Sequence, residues 1–136
     1  METKHFKILI SDDQSYFGRL VILLKRPCES LSQVKQEEWE DFSNIVKKLE
    51  SFFTKTYKAT MFNWSCLMNE AAKRGEKTQV HFHFRPRYKK QIQVNGEVFR
   101  DPNFGFHYIS TNTGLSRNAS SSVQKDLSKK LHALFA

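Results

Sequence analysis

The sequence is poor in residues that break or staple a chain. Among 136 residues there are three prolines, five glycines and two cysteines. So few breakers leave room for uninterrupted helices and strands. Cys28 and Cys66 stand apart, without CxxC spacing, which argues against a disulfide scaffold and reads as two free thiols in a reducing compartment. The longest apolar run, Leu20–Leu24, is far too short to cross a bilayer. The opening Met-Glu-Thr-Lys-His lacks an apolar stretch with a cleavage site, so no secretory signal and a cytoplasmic location are expected. With no internal repeat and no linker-like stretch, one domain over residues 1–136 is expected. The net charge of +8 is spread over separate pairs such as Lys25-Arg26, Lys47-Lys48, Lys73-Arg74, Lys89-Lys90 and Lys129-Lys130, with no block of five like charges. That pattern does not suggest specific nucleic-acid binding. For most of these residues it reads as an ordinary solvated surface, and it is also compatible with one that draws in small phosphate-bearing molecules.

What is present is a folded-protein composition, 39% hydrophobic and 26% charged, enough to build a sizeable core. Residues 5–10 and the run Leu20–Leu24 read as two antiparallel strands joined by a turn-rich connection. Trp39, Phe42, Ile45, Val46, Leu49, Phe52 and Phe53 recur at intervals of three and four, which draws the apolar stripe of a core-facing helix whose start is poorly marked. A third strand is expected over residues 59–68, a polar loop over 69–77, and a fourth strand over 78–85 that stops at Pro86. Residues 91–99 read as a hairpin around Asn95-Gly96, and residues 100–121 as loop. A last helix starts near Ser121, with Gln124 completing a capping box and Val123, Leu127, Leu131 and Leu134 as its buried stripe. These elements predict an α+β fold on a mostly antiparallel sheet of about five strands, with one long helix and a C-terminal helix.

Chemistry concentrates in the fourth strand. Because side chains alternate faces, Val80, Phe82 and Phe84 share one face while Gln79, His81, His83 and Arg85 share the other. The apolar face must pack on the core. The opposite face presents two imidazoles in a row, the side chain best suited to act near neutral pH as nucleophile, acid or metal ligand. Periodicity alone leaves three readings open: catalysis, exposed decoration, and half of a metal site that His107 would complete.

The segment Gln79-Val80-His81-Phe82-His83-Phe84-Arg85-Pro86-Arg87 resembles the histidine-triad (HIT) signature, in which three histidines alternate with apolar residues before Pro-Arg. That register puts His81 at the middle position, His83 at the third and Gln79 where the family usually has its first histidine. The run from Gly18 to Arg26 is similar to the family's Gly-His-x-x-Val-x-Pro-Lys-x-His segment, departing at Arg19, Leu24 and Pro27. Residues 29–39 look like the entry into the family's long helix. Asn63-Trp64 and Leu67-Met68-Asn69 resemble the strand before the triad in diadenosine-polyphosphate hydrolase-like members. The likeness covers about residues 5–90.

The resemblance implies a HIT-like fold and a nucleotide hydrolase or nucleotidyl transferase acting on a dinucleoside polyphosphate or nucleoside phosphoramidate. His81 would attack the α-phosphate and form a nucleotidyl-histidine intermediate. His83 would bind phosphate and stabilise developing charge. Gln79 would offer an amide donor or hold the loop, but cannot become cationic. Either Asp12 or Asp13 would meet the ribose, Asn69 would supply an amide donor to phosphate, and Arg87 would act structurally, electrostatically or on substrate. No metal is required beyond any Mg²⁺ arriving with the nucleotide, and a homodimer is expected. The competing expectation is a nucleotide-binding module with weak or no catalysis, motivated by Gln79, Arg19 and Pro27.

Overall fold

A computed structural model of the chain describes residues 1–107 and 117–136. Its elements run β1 (Phe6–Ile10), β2 (Leu20–Leu24), a 3-10 turn (Leu31–Gln33), α1 (Gln36–Tyr57), β3 (Met61–Ser65), α2 (Asn69–Lys73), β4 (His81–Arg87), β5 (Ile92–Val94), β6 (Glu97–Phe99) and α3 (Ser121–Phe135). Four strands form an antiparallel sheet in the order β1-β2-β4-β3, which puts the histidine-bearing strand in the interior. An interior strand is held by ladders on both sides, so its side chains are placed by the whole sheet.

The helix-facing side of this sheet is the core. Phe6, Ile8, Leu20, Ile22, Leu24, Val80 and Phe84 are buried there with Ile45, Leu49 and Phe53 of α1. Aromatic packing fixes the helix against β4: Phe42 stacks on Phe82 with ring centres 4.0 Å apart and Phe53 lies 5.4 Å from Phe84, while Trp64 of the neighbouring β3 meets Phe84 at 4.5 Å. Such pairs add about 0.5–1.5 kcal/mol each beyond the area they bury. α1 starts at Gln36, where Glu38 reaches back to accept the Lys35 N–H at 2.8 Å and also pairs with Arg26 through two bonds of 2.9 Å. It ends in a Schellman turn, with the Ala59 and Lys58 N–H groups donating to Phe53 and Thr54 carbonyls and Lys58 in the left-handed region at φ 61°.

Four expectations need correction. Residues 69–77 are not wholly a loop: Asn69-Glu-Ala-Ala-Lys73 forms the short helix α2, because two alanines flanked by Glu70 and Lys73 favour helix over loop. β4 does not stop before Pro86 but runs on to Arg87. The β2 ladder ends with Leu20 opposite Phe84, so beyond that point β4 is locally an edge, paired only with β3, where proline is tolerated. The main sheet has four strands rather than about five, because the expected hairpin forms a separate two-stranded sheet. Among the described residues β5 and β6 pair with each other alone, through a turn with Asn95 at φ 48° and Gly96 at φ 83°, and Phe99 packs on Phe17 at 4.8 Å. Finally, the cap of α3 is Ser120, whose hydroxyl accepts the Val123 N–H, while Gln124 donates to the Ala119 carbonyl. The expected loop over 100–121 lies partly outside the described residues. Among the described residues, no helix is long and apolar enough to cross a membrane.

Candidate active site

Burial follows the alternation read from the sequence. Val80, Phe82 and Phe84 are buried against α1, and His81 and His83 are half-buried on the opposite face of the sheet. Neighbouring strands continue that face. Leu23 and Val21 of β2 stand opposite His81 and His83, and Ser65 and Asn63 of β3 stand opposite His83 and Arg85. The result is a two-histidine row with apolar ground on one side and polar ground on the other.

The two imidazoles differ in their hydrogen bonding. His81 Nδ1 lies 2.8 Å from the Gln79 carbonyl. A carbonyl oxygen only accepts, so Nδ1 carries the proton and the lone pair is left on Nε2. This is the form a nucleophilic histidine requires. The His83 ring centre lies 4.9 Å from that of His81, with the planes at 81°. Burial, then the charges of Arg85, His81 and Arg19, push His83 down to about 4, so it is neutral at neutral pH. Its Nδ1 is buried with no hydrogen-bond partner among the described residues.

Gln79 sits beside the row without pointing its amide at it. Its Nε2 donates to the Leu24 and Arg26 carbonyls, both at 2.8 Å, and its Oε1 accepts the Cys28 N–H at 3.1 Å. Both amide hydrogens are therefore spent on backbone. The geometry corrects the expectation of a phosphate donor here and leaves the loop-holding role: Gln79 ties the start of β4 to the segment that follows β2.

Arg87 also departs from a substrate-binding role. Its side chain is fully buried. Nε and Nη2 grip Asp101 at 2.6 and 3.0 Å, Nη1 donates to Asn63 Oδ1 and the Phe106 carbonyl, and Nη2 donates to the Asn103 carbonyl. A guanidinium has five N–H donors. All five are used inside the protein, and the Tyr16 ring covers the group at 4.9 Å. Arg87 organises the loop after the hairpin and cannot also reach a phosphate.

The remaining candidates are placed less centrally. Asp13 is tied to Arg19 Nη1 at 2.5 Å and to the Ser15 and Arg117 N–H groups, leaving Asp12 as the exposed carboxylate of the pair. Burial acts to raise the Asp13 carboxyl, but the Ser15 hydrogen bonds, the Arg19 charge and Arg117 outweigh it and hold it below its ordinary value. Asn69 is exposed at the first position of α2. His107 is exposed, and among the described residues no three histidine, cysteine or carboxylate side chains gather to hold a metal ion.

Sequence reading missed two features. Arg19 shares the histidine face, and its signal was the alternation of β2, in phase with Val21 and Leu23. Gln14, buried in the β1–β2 connection, donates to the Ser11 and Arg19 carbonyls and accepts the Gly18 N–H at 2.8 Å, which shapes the turn that delivers Arg19. No local pattern announces that role.

No family model matches the sequence, and no curated protein matches it. The backbone does match solved structures. A histidine triad protein from Marinobacter aquaeolei VT8 superposes with a TM-score of 0.67 at 14% identity, over 98% of this chain and 85% of that one. A HIT-like protein from Bartonella henselae, described as involved in cell-cycle regulation and holding an unknown ligand, gives 0.61 at 16% identity, over 98% and 83%. A zinc-bound histidine triad family protein from Mycobacterium smegmatis gives 0.54 at 15% identity, over 98% and 85%. At these identities the likeness establishes the fold, which is HIT-like.

Proposed function

We propose that this chain binds a nucleotide by its α-phosphate across His81 and His83 and transfers the nucleotidyl group through His81, to water or to another acceptor. The observation that carries this reading is the Nδ1 contact of His81 with the Gln79 carbonyl, which leaves Nε2 as the free lone pair. Nε2 attacks the α-phosphorus, the bond from phosphorus to the leaving oxygen or nitrogen breaks, and the leaving group departs with the electron pair. Water then attacks the nucleotidyl-histidine, the P–N bond breaks, and the nucleoside monophosphate is released. Splitting one displacement into two is the general advantage of covalent catalysis. Dinucleoside polyphosphates and nucleoside phosphoramidates are the substrate classes that fit, with Val21 and Leu23 as apolar ground beside the reacting row. A homodimer belongs to the same proposal.

The test is incubation with adenylyl substrates labelled in the α-phosphate. AMP release and an acid-labile label on His81, both absent from His81→Ala, are expected. Release undiminished in His81→Ala would overturn the mechanism.

A second reading, binding with slow or no turnover, has its own support. Gln79 cannot carry a proton to a leaving group, and His83 is held neutral, so the row is weak in acid catalysis. Tight binding without AMP release would favour it.

A further inference from the structure

Arg19 is left over from this account, although it stands on the site's face. Leu20, Ile22 and Leu24 point into the core, so Arg19, Val21 and Leu23 point the other way, with His81 and His83. Val21 is directly opposite His83, and Arg19 lies two residues back along the chain, diagonal to it. Diagonal positions in an antiparallel pair are roughly 7–8 Å apart, within reach of an arginine side chain.

Two further observations give the residue a job. First, the guanidinium is fixed in advance: Asp13 holds Nη1, and Asp13 is itself held by the Ser15 and Arg117 N–H groups. Second, Arg19 Nε and His83 Nδ1 are both buried with no hydrogen-bond partner among the described residues. Buried donors are as a rule paired, and this guanidinium N–H has no protein acceptor among the described residues. The acceptor that suits it is an anionic oxygen, since hydrogen bonds between ionised partners are the strong ones. His83 is neutral, so the fixed positive charge beside the row comes from arginine, Arg19 with Arg85 next along the same face.

We propose that Arg19 is a specificity-determining residue: anchored by Asp13 beside His83, it takes an oxygen of a phosphate beyond the α-phosphate and so favours nucleotides with two or more phosphates over nucleoside monophosphates. This rests on the nucleotide-phosphate reading above and narrows it toward polyphosphate substrates, away from phosphoramidates with uncharged leaving groups.

The test is calorimetric titration of the full chain, without divalent cation, against AMP, ATP and inorganic tripolyphosphate. The wild type, Arg19→Gln and Arg19→Lys are compared, with thermal midpoints measured for each. The wild type is expected to bind ATP more tightly than AMP. Arg19→Gln is expected to lose about tenfold to a hundredfold in ATP affinity, the range for one hydrogen bond to a charged group, with little change for AMP. Arg19→Lys, which keeps the charge but not the fork, should fall between them and serves alone if Arg19→Gln does not fold. Equal weakening of AMP and ATP would assign Arg19 a structural role and overturn the proposal, as would ATP affinity unchanged in both variants. Arg19-dependent binding of tripolyphosphate without any preference for nucleotides would uphold the phosphate site and overturn the nucleotide reading. No binding of any of the three would overturn both.

Discussion

Arg87 and Asp101 form a two-point ion pair, 2.6 Å from Nε to Oδ2 and 3.0 Å from Nη2 to Oδ1, with 0% and 2% of the side chains exposed. Removing either partner strands a charge in the interior, which costs about 3–5 kcal/mol. Asp101→Ala and Arg87→Ala should each lower the unfolding free energy read from urea denaturation by that amount, whereas nucleotide affinity, measured well below the melting transition, should change little. A specific loss of affinity with stability intact would show that Arg87 meets substrate after all.

Gln79 closes three backbone groups, the Leu24 and Arg26 carbonyls and the Cys28 N–H. Restoring a histidine there cannot reproduce this pattern, because a neutral imidazole has one donor and one acceptor. Gln79→His should therefore cost about 1–3 kcal/mol for the groups left unsatisfied. Thermal unfolding checks it. A variant as stable as the wild type would mean that the loop finds other partners.

His83 supplies a pH signature. Burial first, then the charges of Arg85, His81 and Arg19, hold it at about 4 against an ordinary value of 6.5. Between those two values the unfolded chain takes up a proton that the folded chain refuses. Its contribution to stability is intact above about 6.5 and falls as the pH drops towards about 4. His83→Asn should flatten the decline of the thermal midpoint across that window. An NMR titration of His83 with a midpoint near 6.5 would contradict the assignment.

Glu38 predicts a second, more acidic loss. The Arg26 hydrogen bonds, opposed by burial and aided by the Lys35 N–H, bring its carboxyl to about 2 from 4.5. Stability from this group is present above about 4.5 and is lost as the pH falls towards 2. Glu38→Gln should remove that part of the acid transition and, at neutral pH, cost about 1–3 kcal/mol through weakened charged hydrogen bonds. Acid unfolding monitored by circular dichroism reads both.

Gly18 is constrained twice. Its φ of 84° disfavours any side chain, and an added Cβ would lie 2.2 Å from Phe53 Cε1. Gly18→Ala must move a fully buried ring of the core, at a cost of about 1–3 kcal/mol for overpacking alone, and it would shift the turn that delivers Arg19. Lowered stability together with weakened ATP binding is expected, measured by melting and titration on the same preparation.

The faces of β4, the stripe of α1 and the Asn95-Gly96 turn were legible in the sequence because each rests on a local rule: a period of two, a period near 3.6, and a backbone that needs positive φ. The same alternation brought His81 and His83 together on one face, and β4 carries both. Pairing between distant segments decided the rest. Whether a side chain on that face is free to meet a ligand depends on which carbonyls and carboxylates lie within hydrogen-bonding distance, and those come from residues far along the chain. Gln79 and Arg87 looked like site residues until Leu24, Arg26, Cys28, Asp101 and Asn103 took up their donors and acceptors. Arg19 looked like a departure from a motif until its ion pair with Asp13 fixed the guanidinium in place. The order of side chains along one strand is written in the sequence; the partners that occupy or free them are set by packing.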